Sequence, residues 1–249
     1  GCSSLHILFP HVDELPIMAE AGLKVRKDCQ FHWHNRDYSS FDDFLGGFSS
    51  RKRKKVRQDR RKIAAQGITF RWLRGSEISA DTWQEVYRLI SITFMRRGSM
   101  PYYDCGFFRQ VSAQLGEGIA VVLAELNSEV VAAAVFFVGA DTLYGRYWGS
   151  AGYFDALHFE TCYYQGIDFC IRNRIGHFEP GTQGEHKISR GFVPETTWSA
   201  HWLARPEFFE AIGRFLDDEG KHVDRYADAV RAHSPYRKNG PPESGGGQG

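Results

Sequence analysis

Apolar and polar positions along the chain change period several times, and each period predicts an element. Residues 119–126, 130–138 and 142–148 are apolar or alternating stretches, and short polar turns separate them. Such spacing is typical of consecutive strands in an antiparallel meander. Two earlier segments repeat apolar residues at helical spacing and predict helices: Trp83, Val86, Tyr87, Ile90 and Phe94, then Phe107, Phe108, Val111 and Leu115.

The remaining elements follow from the same patterns. A strand is predicted over 68–73, a long helix over about 155–173, and short strands at 177–179 and 196–202. Helical sequence follows from residue 206 to about 233, and Gly166 inside the long helix predicts close packing against another backbone. The first 47 residues have no sustained period, so we expect irregular structure with short strands. The resulting order, a mixed α/β sheet flanked by helices, resembles that of the GNAT acyltransferase fold.

Composition narrows the class of protein. The 249 residues include 42% hydrophobic and 24% charged residues, as in an ordinary globular protein, and Lys plus Arg exceed Asp plus Glu by one. The most apolar stretch, 119–138, contains Glu125 and Glu129, so no transmembrane segment is predicted. The five cysteines form no CxxC pair, which predicts neither a zinc knuckle nor a disulfide framework. We therefore expect a cytoplasmic protein with no metal.

A basic segment departs from the near-neutral total. Residues 49–66 carry nine Lys or Arg against one Asp, with Val56 and Ile63 a heptad apart, which predicts a helix with a narrow apolar edge. A solvated helix face is the simpler interpretation. The alternative is an anionic partner such as coenzyme A, a nucleotide-lipid precursor or a tRNA acceptor arm. The candidate anion-binding residues are Arg53, Arg57, Arg60 and Arg61.

The segment that leads into the long helix is a candidate for donor binding. Gly149 and Gly152 precede a helix N-terminus, where backbone N–H groups can approach an anion, although an ordinary strand-to-helix turn is the simpler interpretation. Their spacing departs from the GNAT pyrophosphate loop, which has a Gln or Arg before two spaced glycines. The strand before them adds three candidates for lining the donor site: Tyr144, Arg146 and Trp148.

Carboxylates in two places are candidate bases. Glu160 lies in the first turn of the long helix, where it either complements the helix dipole or acts as a base toward an amine. The loop over 179–187 concentrates ionisable groups between glycines, and Glu185 and His186 are its candidate catalytic residues. A solvated turn with a local salt bridge is the alternative, and no HExxH motif supports a metal site. The same region supplies candidate substrate-binding residues: Gln183, Lys187 and Arg190.

Several motifs together resemble a known family. They are SSRKRKK at 49–55, YGRYWG at 144–149, LHFE at 157–160, CYYQGI at 162–167, EPGTQGEHK at 179–187 and SPYR at 234–237. In this order they resemble the bacterial FemAB-like proteins of the GNAT superfamily, often labelled peptidoglycan biosynthesis or recognition proteins. The resemblance covers nearly the whole chain before the Gly-rich tail. It implies a GNAT-type fold, commonly as tandem halves, and transfer of an acyl or aminoacyl group to an amine.

The resemblance also implies a domain plan and a reaction. Residues 1–66 would be the remnant of a preceding GNAT-like half with the basic helix, 67–239 the GNAT-like acyltransferase domain, and 240–249 a flexible tail. The donor would be acyl-CoA or aminoacyl-tRNA and the acceptor a small or peptide-like amine, with Glu160 or Glu185 removing a proton. His186 and Arg190 would position the acceptor or polarise the carbonyl. The alternative is a non-catalytic GNAT-fold module that binds a cell-wall precursor or nucleic acid.

Overall fold

The computed structural model describes residues 1–181 and 184–237, and the predicted mixed α/β fold with an antiparallel meander flanked by helices is confirmed. The strands are β1 (Ser4–Leu8), β2 (Lys24–His34), β3 (Thr69–Arg74), β4 (Ile119–Leu126), β5 (Glu129–Val138), β6 (Thr142–Ser150), β7 (His177–Glu179) and β8 (Val193–Leu203). The helices are α1 (Leu15–Glu20), α2 (Phe41–Gly46), α3 (Ser50–Ala65), α4 (Ala80–Arg96), α5 (Cys105–Leu115), α6 (Leu157–Phe159), α7 (Gln165–Asn173) and α8 (Pro206–Arg231).

The chain divides into two compact units. Unit 1 contains Gly1–His32 and Thr182–Ser234, and unit 2 contains Trp33–Gly181 and Pro235–Gly249. None of the described helices has the length and apolar character that a bilayer span requires. The expected domain boundary at residue 66 stays a prediction. The expected flexible tail, 240–249, and Gln183 lie outside the described residues.

Unit 2 contains a sheet in the order β7-β6-β5-β4-β3, antiparallel except for the parallel pair β6–β7. Both faces of its centre are covered. Alternate residues of β4, such as Val121 and Leu123, pack with α4 and α5, whereas Ala124 packs with Ile63 of α3 and Leu157 of α6. Because both faces are buried, β4 reads as a nearly continuous apolar run.

The first stretch of the chain differs from its prediction in the length of one strand, because only short strands were expected and β2 has 11 residues. The predicted long helix is present over residues 157–173, and its residues Glu160–Tyr164 form a π-helical turn between α6 and α7. Gly166 packs as tightly as predicted, but against a side chain: an added Cβ would lie 2.5 Å from the ring of buried Phe178.

Unit 1 contains the antiparallel sheet β1-β8-β2, with α8 joined to β2 by ion pairs. Arg26 of β2 forms two hydrogen bonds of 2.8 Å to Glu219 of α8, and Lys27 pairs with Asp224. These contacts explain why β2 escaped the hydrophobic pattern. Its three basic residues in this part, Lys24, Arg26 and Lys27, each pair with an acid of α8.

Candidate functional site

The ladder between the parallel strands β6 and β7 of unit 2 ends well before β6 itself ends. The β6–β7 ladder contains the pairs Thr142–His177, Leu143–Phe178 and Tyr144–Glu179 and then ends. Strand β6 continues to Ser150, and residues 145–150 have no strand partner on that side within the described part of unit 2. Unpaired backbone N–H and C=O groups on a strand edge can hydrogen-bond a ligand. We call this edge the β6 fork.

An irregularity in β6 lies at the β6 fork. Val135 pairs with Tyr147 and Phe136 with Gly145, so Arg146 is an extra, bulged residue. A bulge redirects side chains and is common beside active sites. Tyr144 and Arg146, both predicted to line the donor end, are exposed here, and the Arg146 guanidinium lies 5.4 Å from the Tyr147 ring. The structure therefore brings these two candidates to the same open edge.

The two candidate glycines lie in different surroundings. Gly149 is a buried residue of β6, and a Cβ built on it would lie 2.1 Å from the carbonyl carbon of Leu89 in α4. Its lack of a side chain is therefore required for contact with α4. Gly152 lies in the following loop, where the nearest atom to such a Cβ is in the Phe154 ring at 3.5 Å. Trp148 is half-buried and meets the His158 ring edge-on at 5.4 Å.

Glu160 is enclosed at the start of the π-helical turn, with 2% of its surface exposed. Its Oε1 accepts a hydrogen bond of 2.9 Å from Gln165 Nε2 and lies 3.1 Å from Arg60 Nη2. Trp72 Nε1 in turn donates to Gln165 Oε1 at 3.2 Å. The other carboxylate oxygen, Oε2, is buried without a hydrogen-bond partner among the described residues. Burial raises the pKa of Glu160, and the positive charge of Arg60 opposes that rise.

A second buried carboxylate lies one residue before Arg60 on α3. Asp59 has 2% of its surface exposed, accepts a 3.0 Å hydrogen bond from the Tyr164 hydroxyl and lies 3.1 Å from Lys55 Nζ. This acid interrupts the basic run because it anchors α3 to the π-helical turn. The same turn therefore contacts both Asp59 and Arg60, which fixes the orientation of α3.

The basic segment forms one wall of a groove of about 610 Å³ in unit 2. Phe41, Asp42 and Leu45 of α2 line the other side. All four predicted anion-binding residues and Lys54 line it together: Arg53, Lys54, Arg57, Arg60 and Arg61. Their spacing of three and four residues places them on one face of α3. We call this feature the basic groove.

The remaining candidates lie in unit 1, on a 3-10 helix over Glu185–Arg190. Glu185 is exposed and accepts a 3.0 Å hydrogen bond from the Tyr226 hydroxyl, whose pKa burial and this carboxylate raise to about 12. Burial, followed by the charges of Arg190 and Lys187, lowers the pKa of His186, which favours the neutral imidazole. Lys187 is buried, with 1% of its surface exposed.

The structure adds a residue that was not among the predicted site residues. Glu179 ends β7 in register with Tyr144, at the point where the β6 fork opens. It is half-buried, burial raises its pKa, and no salt bridge reaches it among the described residues. The available signal was its place at a strand end before Pro180-Gly181. In the described part of the chain, His, Cys, Asp and Glu form no group of three suited to a metal ion.

Comparisons with known proteins give one family and a set of similar folds. FemX matches with a TM-score of 0.58 and 13% identity over 85% of this chain and 75% of FemX. L-PGS from Bacillus licheniformis matches with a TM-score of 0.56 and 13% identity over 85% of this chain and 72% of that chain. At these identities the likeness concerns the fold alone, and no curated protein matches by sequence. A family model described as FemAB-like, peptidoglycan biosynthesis/recognition, matches residues 1–238, so the chain belongs to the FemAB-like family.

Proposed function

We propose that the protein is an N-acyltransferase that moves an acyl or aminoacyl group from an activated donor to an amine, in cell-wall peptide metabolism. The observation that carries the proposal is the β6 fork. Its open backbone edge, the bulge at Arg146 and the half-buried Glu179 lie together in unit 2. FemAB-like family membership supports this class of reaction and the cell-wall context.

In this proposal the backbone of the β6 fork orients the donor carbonyl. Backbone N–H groups on a strand edge are fixed donors, and such donors stabilise the oxyanion that forms when an amine attacks a carbonyl. Tyr144 and Arg146 line the donor end. The donor, acyl-CoA or aminoacyl-tRNA, carries phosphates that the basic groove would accommodate.

Glu179 is the carboxylate that we propose as the base toward the attacking amine at the β6 fork. A base must reach the proton that it removes, and a raised pKa makes a carboxylate a stronger base near neutral pH. Glu160 meets the second condition, but both of its oxygens are buried, which favours a supporting role through Arg60. The predicted roles of Glu185 and His186 remain predictions for the same reaction.

The test is a single-turnover transfer assay with acyl-CoA donors and aminoacyl-tRNA in parallel. Glu179→Gln is expected to lower the transfer rate about 10²-fold or more in a folded protein, because it removes general-base catalysis. Glu160→Gln and Glu185→Gln are measured beside it, and Glu129→Gln, at an exposed strand end, is the matched control. An unchanged rate for Glu179→Gln would refute its assignment as the base.

The basic groove favours a second candidate, a binding module that recognises an anionic cell-wall precursor or nucleic acid without catalysis. Donor-induced thermal stabilisation distinguishes the two, because a ligand that binds only the folded state raises its melting temperature. Stabilisation by a donor together with transfer supports the enzyme. Binding with no transfer from any donor supports the module and contradicts the proposed reaction.

A further inference from the structure

The basic groove concentrates positive charge that the protein neutralises only in part. Five cations line it against one carboxylate, Asp42, which pairs with Arg57 at 2.9 Å. Arg53, Lys54 and Arg61 take part in no salt bridge within the described chain. Like charges on one helix face repel one another, so this arrangement is unfavourable until an anion enters. Several closely spaced cations match a phosphate or diphosphate group.

One groove residue also contacts the interior. Arg60 is about a third exposed, its guanidinium lies 4.3 Å from the Phe41 ring centre, and its Nη2 lies 3.1 Å from Glu160 Oε1. The guanidinium has five N–H donors in a planar fork. A groove anion and Glu160 can therefore both accept hydrogen bonds from Arg60 and compete for its positive charge.

The surroundings of Glu160 make it sensitive to that sharing. The groups that act on it are Arg60 from α3, the neutral amide of Gln165, and the negative charge of Asp168 on α7. Asp59 on α3 is already paired with Lys55 and the Tyr164 hydroxyl. Arg60 is thus the cation that stabilises the ionised form of Glu160. Its Oε2 has no hydrogen-bond partner among the described residues and is where a proton can be held.

We propose that the basic groove binds a phosphate-bearing ligand and that Arg60 couples its binding to the uptake of one proton by Glu160. When an anion binds the Arg60 guanidinium, the ionised carboxylate of Glu160 loses part of its stabilisation. Glu160 then takes up a proton from solvent, and no other bond changes. Conversely, protonation of Glu160 removes its charge, so Arg60 can interact more strongly with the ligand. The phosphate site rests on the proposed function, in which the basic groove accommodates the donor phosphates. The coupling between ligand binding and protonation of Glu160 is the added step, and it requires no transfer.

The direction of the coupling follows from the two effects on Glu160. Burial raises its pKa and Arg60 opposes that rise, so weakening the contribution of Arg60 raises the pKa further. Binding therefore takes up protons, and by reciprocity the ligand binds more tightly as pH falls. A coupling of ordinary size gives a change in affinity of about fivefold or more.

Calorimetry with inorganic pyrophosphate tests the coupling. Binding heats in two buffers with different ionisation enthalpies give the number of protons taken up. We expect the wild-type protein to take up more protons than Glu160→Gln, which binds with the pH dependence of pyrophosphate alone. Equal proton uptake by the two proteins would overturn the coupling, and no binding by the wild-type protein would overturn the site.

Two further variants separate charge from coupling. Arg57→Gln lines the groove without contacting Glu160, so it is expected to weaken binding while the proton uptake remains. Arg51→Gln removes a charge from α3 outside the groove and is the matched control. Equal loss of affinity in both would overturn the groove as the site. If Glu160→Gln does not fold, sulfate binding to the wild-type protein provides the test, because sulfate does not titrate near neutral pH. Sulfate binding without proton uptake would contradict the coupling.

Competition identifies the source of the phosphate. Coenzyme A presents a nucleotide diphosphate, and an RNA hairpin presents a phosphodiester backbone. Displacement of pyrophosphate by either one supports the site, and the more effective competitor gives the source. Failure of both to displace it would overturn the assignment of a phosphate-bearing ligand. Neither outcome depends on acyl transfer, so this test and the transfer assay can fail separately.

Discussion

Glu160 combines burial, an arginine partner and an unsatisfied carboxylate oxygen within one π-helical turn. A π-helical turn inside a longer helix is rare and occurs often at functional sites. Here it lets the chain present Glu160, Tyr164 and Gln165 toward partners on α3 and β3. The fold therefore retains a buried acid whose ionisation depends on a single neighbouring cation.

We predict that Glu160→Gln changes how stability depends on pH. The pKa of Glu160 is raised in the folded protein, so the folded state binds this proton more tightly than the unfolded state. This contribution is present below the usual glutamate pKa of about 4.3 and is lost as pH rises through the raised value. The loss is about 1.4 kcal/mol for each unit of difference.

The measurement is the melting temperature of both proteins between pH 4 and pH 8, taken about every half pH unit. The variant's melting temperature minus the wild-type value should increase with pH, because glutamine lacks the ionised form. Parallel curves would show that Glu160 has an unshifted pKa in the folded protein. Glu129→Gln, at an exposed strand end, is the control and should give parallel curves.

At the scale of elements, the backbones of β6 and α4 lie so close together at Gly149 that no side chain fits between them. We predict that Gly149→Ala destabilises the protein by about 3 kcal/mol or more, because its Cβ would lie 2.1 Å from the backbone of Leu89 and α4 would have to move. Urea unfolding measures the loss. Such a large effect would assign Gly149 to packing between these elements.

Gly152→Ala is the matched control for this prediction. A Cβ at Gly152 meets the Phe154 ring at an ordinary 3.5 Å, so its free energy of unfolding should change by about 0.5 kcal/mol or less. Equal stability of the two variants would contradict the packing role of Gly149. If Gly152→Ala lowers donor binding while stability is unchanged, its predicted place in the donor site gains support.

Local periodicity predicted the elements whose partners are close in the chain. The predicted strands at 119–126 and 177–179 match β4 and β7, and the basic helix matches α3 to within a residue. The full length of β2 was not predicted, because its first residues are charged and pair with acids of α8, far along the sequence. Periodicity also does not reveal the π-helical turn, because the apolar residues through it recur at α-helical spacing. The local pattern contains no information about pairing between distant elements.

The same limit applies to the candidate site. Composition alone identified the basic residues, and their helical spacing was sufficient to place them on one face. Glu179 was not among the predicted site residues, since its burial depends on where β7 ends against β6. The Arg60–Glu160 contact joins two helices whose packing the sequence does not reveal. The sequence therefore predicted which basic residues line the groove, whereas it did not predict the burial and charge partners of Glu160 and Glu179.

For the whole molecule, a net charge of +1 conceals an uneven distribution. In unit 2, five cations face one carboxylate in the basic groove. In unit 1, three acids of α8 are paired with basic residues of β2: Glu210 with Lys24, Glu219 with Arg26 and Asp224 with Lys27. Charges that are paired internally attract little from solution, so the basic groove should dominate the binding of anions.

Salt dependence tests that conclusion with an RNA single strand as the probe. If the five groove cations each contact a phosphate, the slope of log affinity against log salt is expected near about −3.5, since each contact releases about 0.7 counterion. Arg57→Gln should reduce the magnitude of the slope by about 0.7, whereas Arg51→Gln, outside the groove, should leave it unchanged. A slope near zero, or equal changes in both variants, would mean that the net charge of the chain and not the basic groove governs the encounter with anions. A groove that binds only a small diphosphate predicts a shallower slope, because fewer phosphates are contacted.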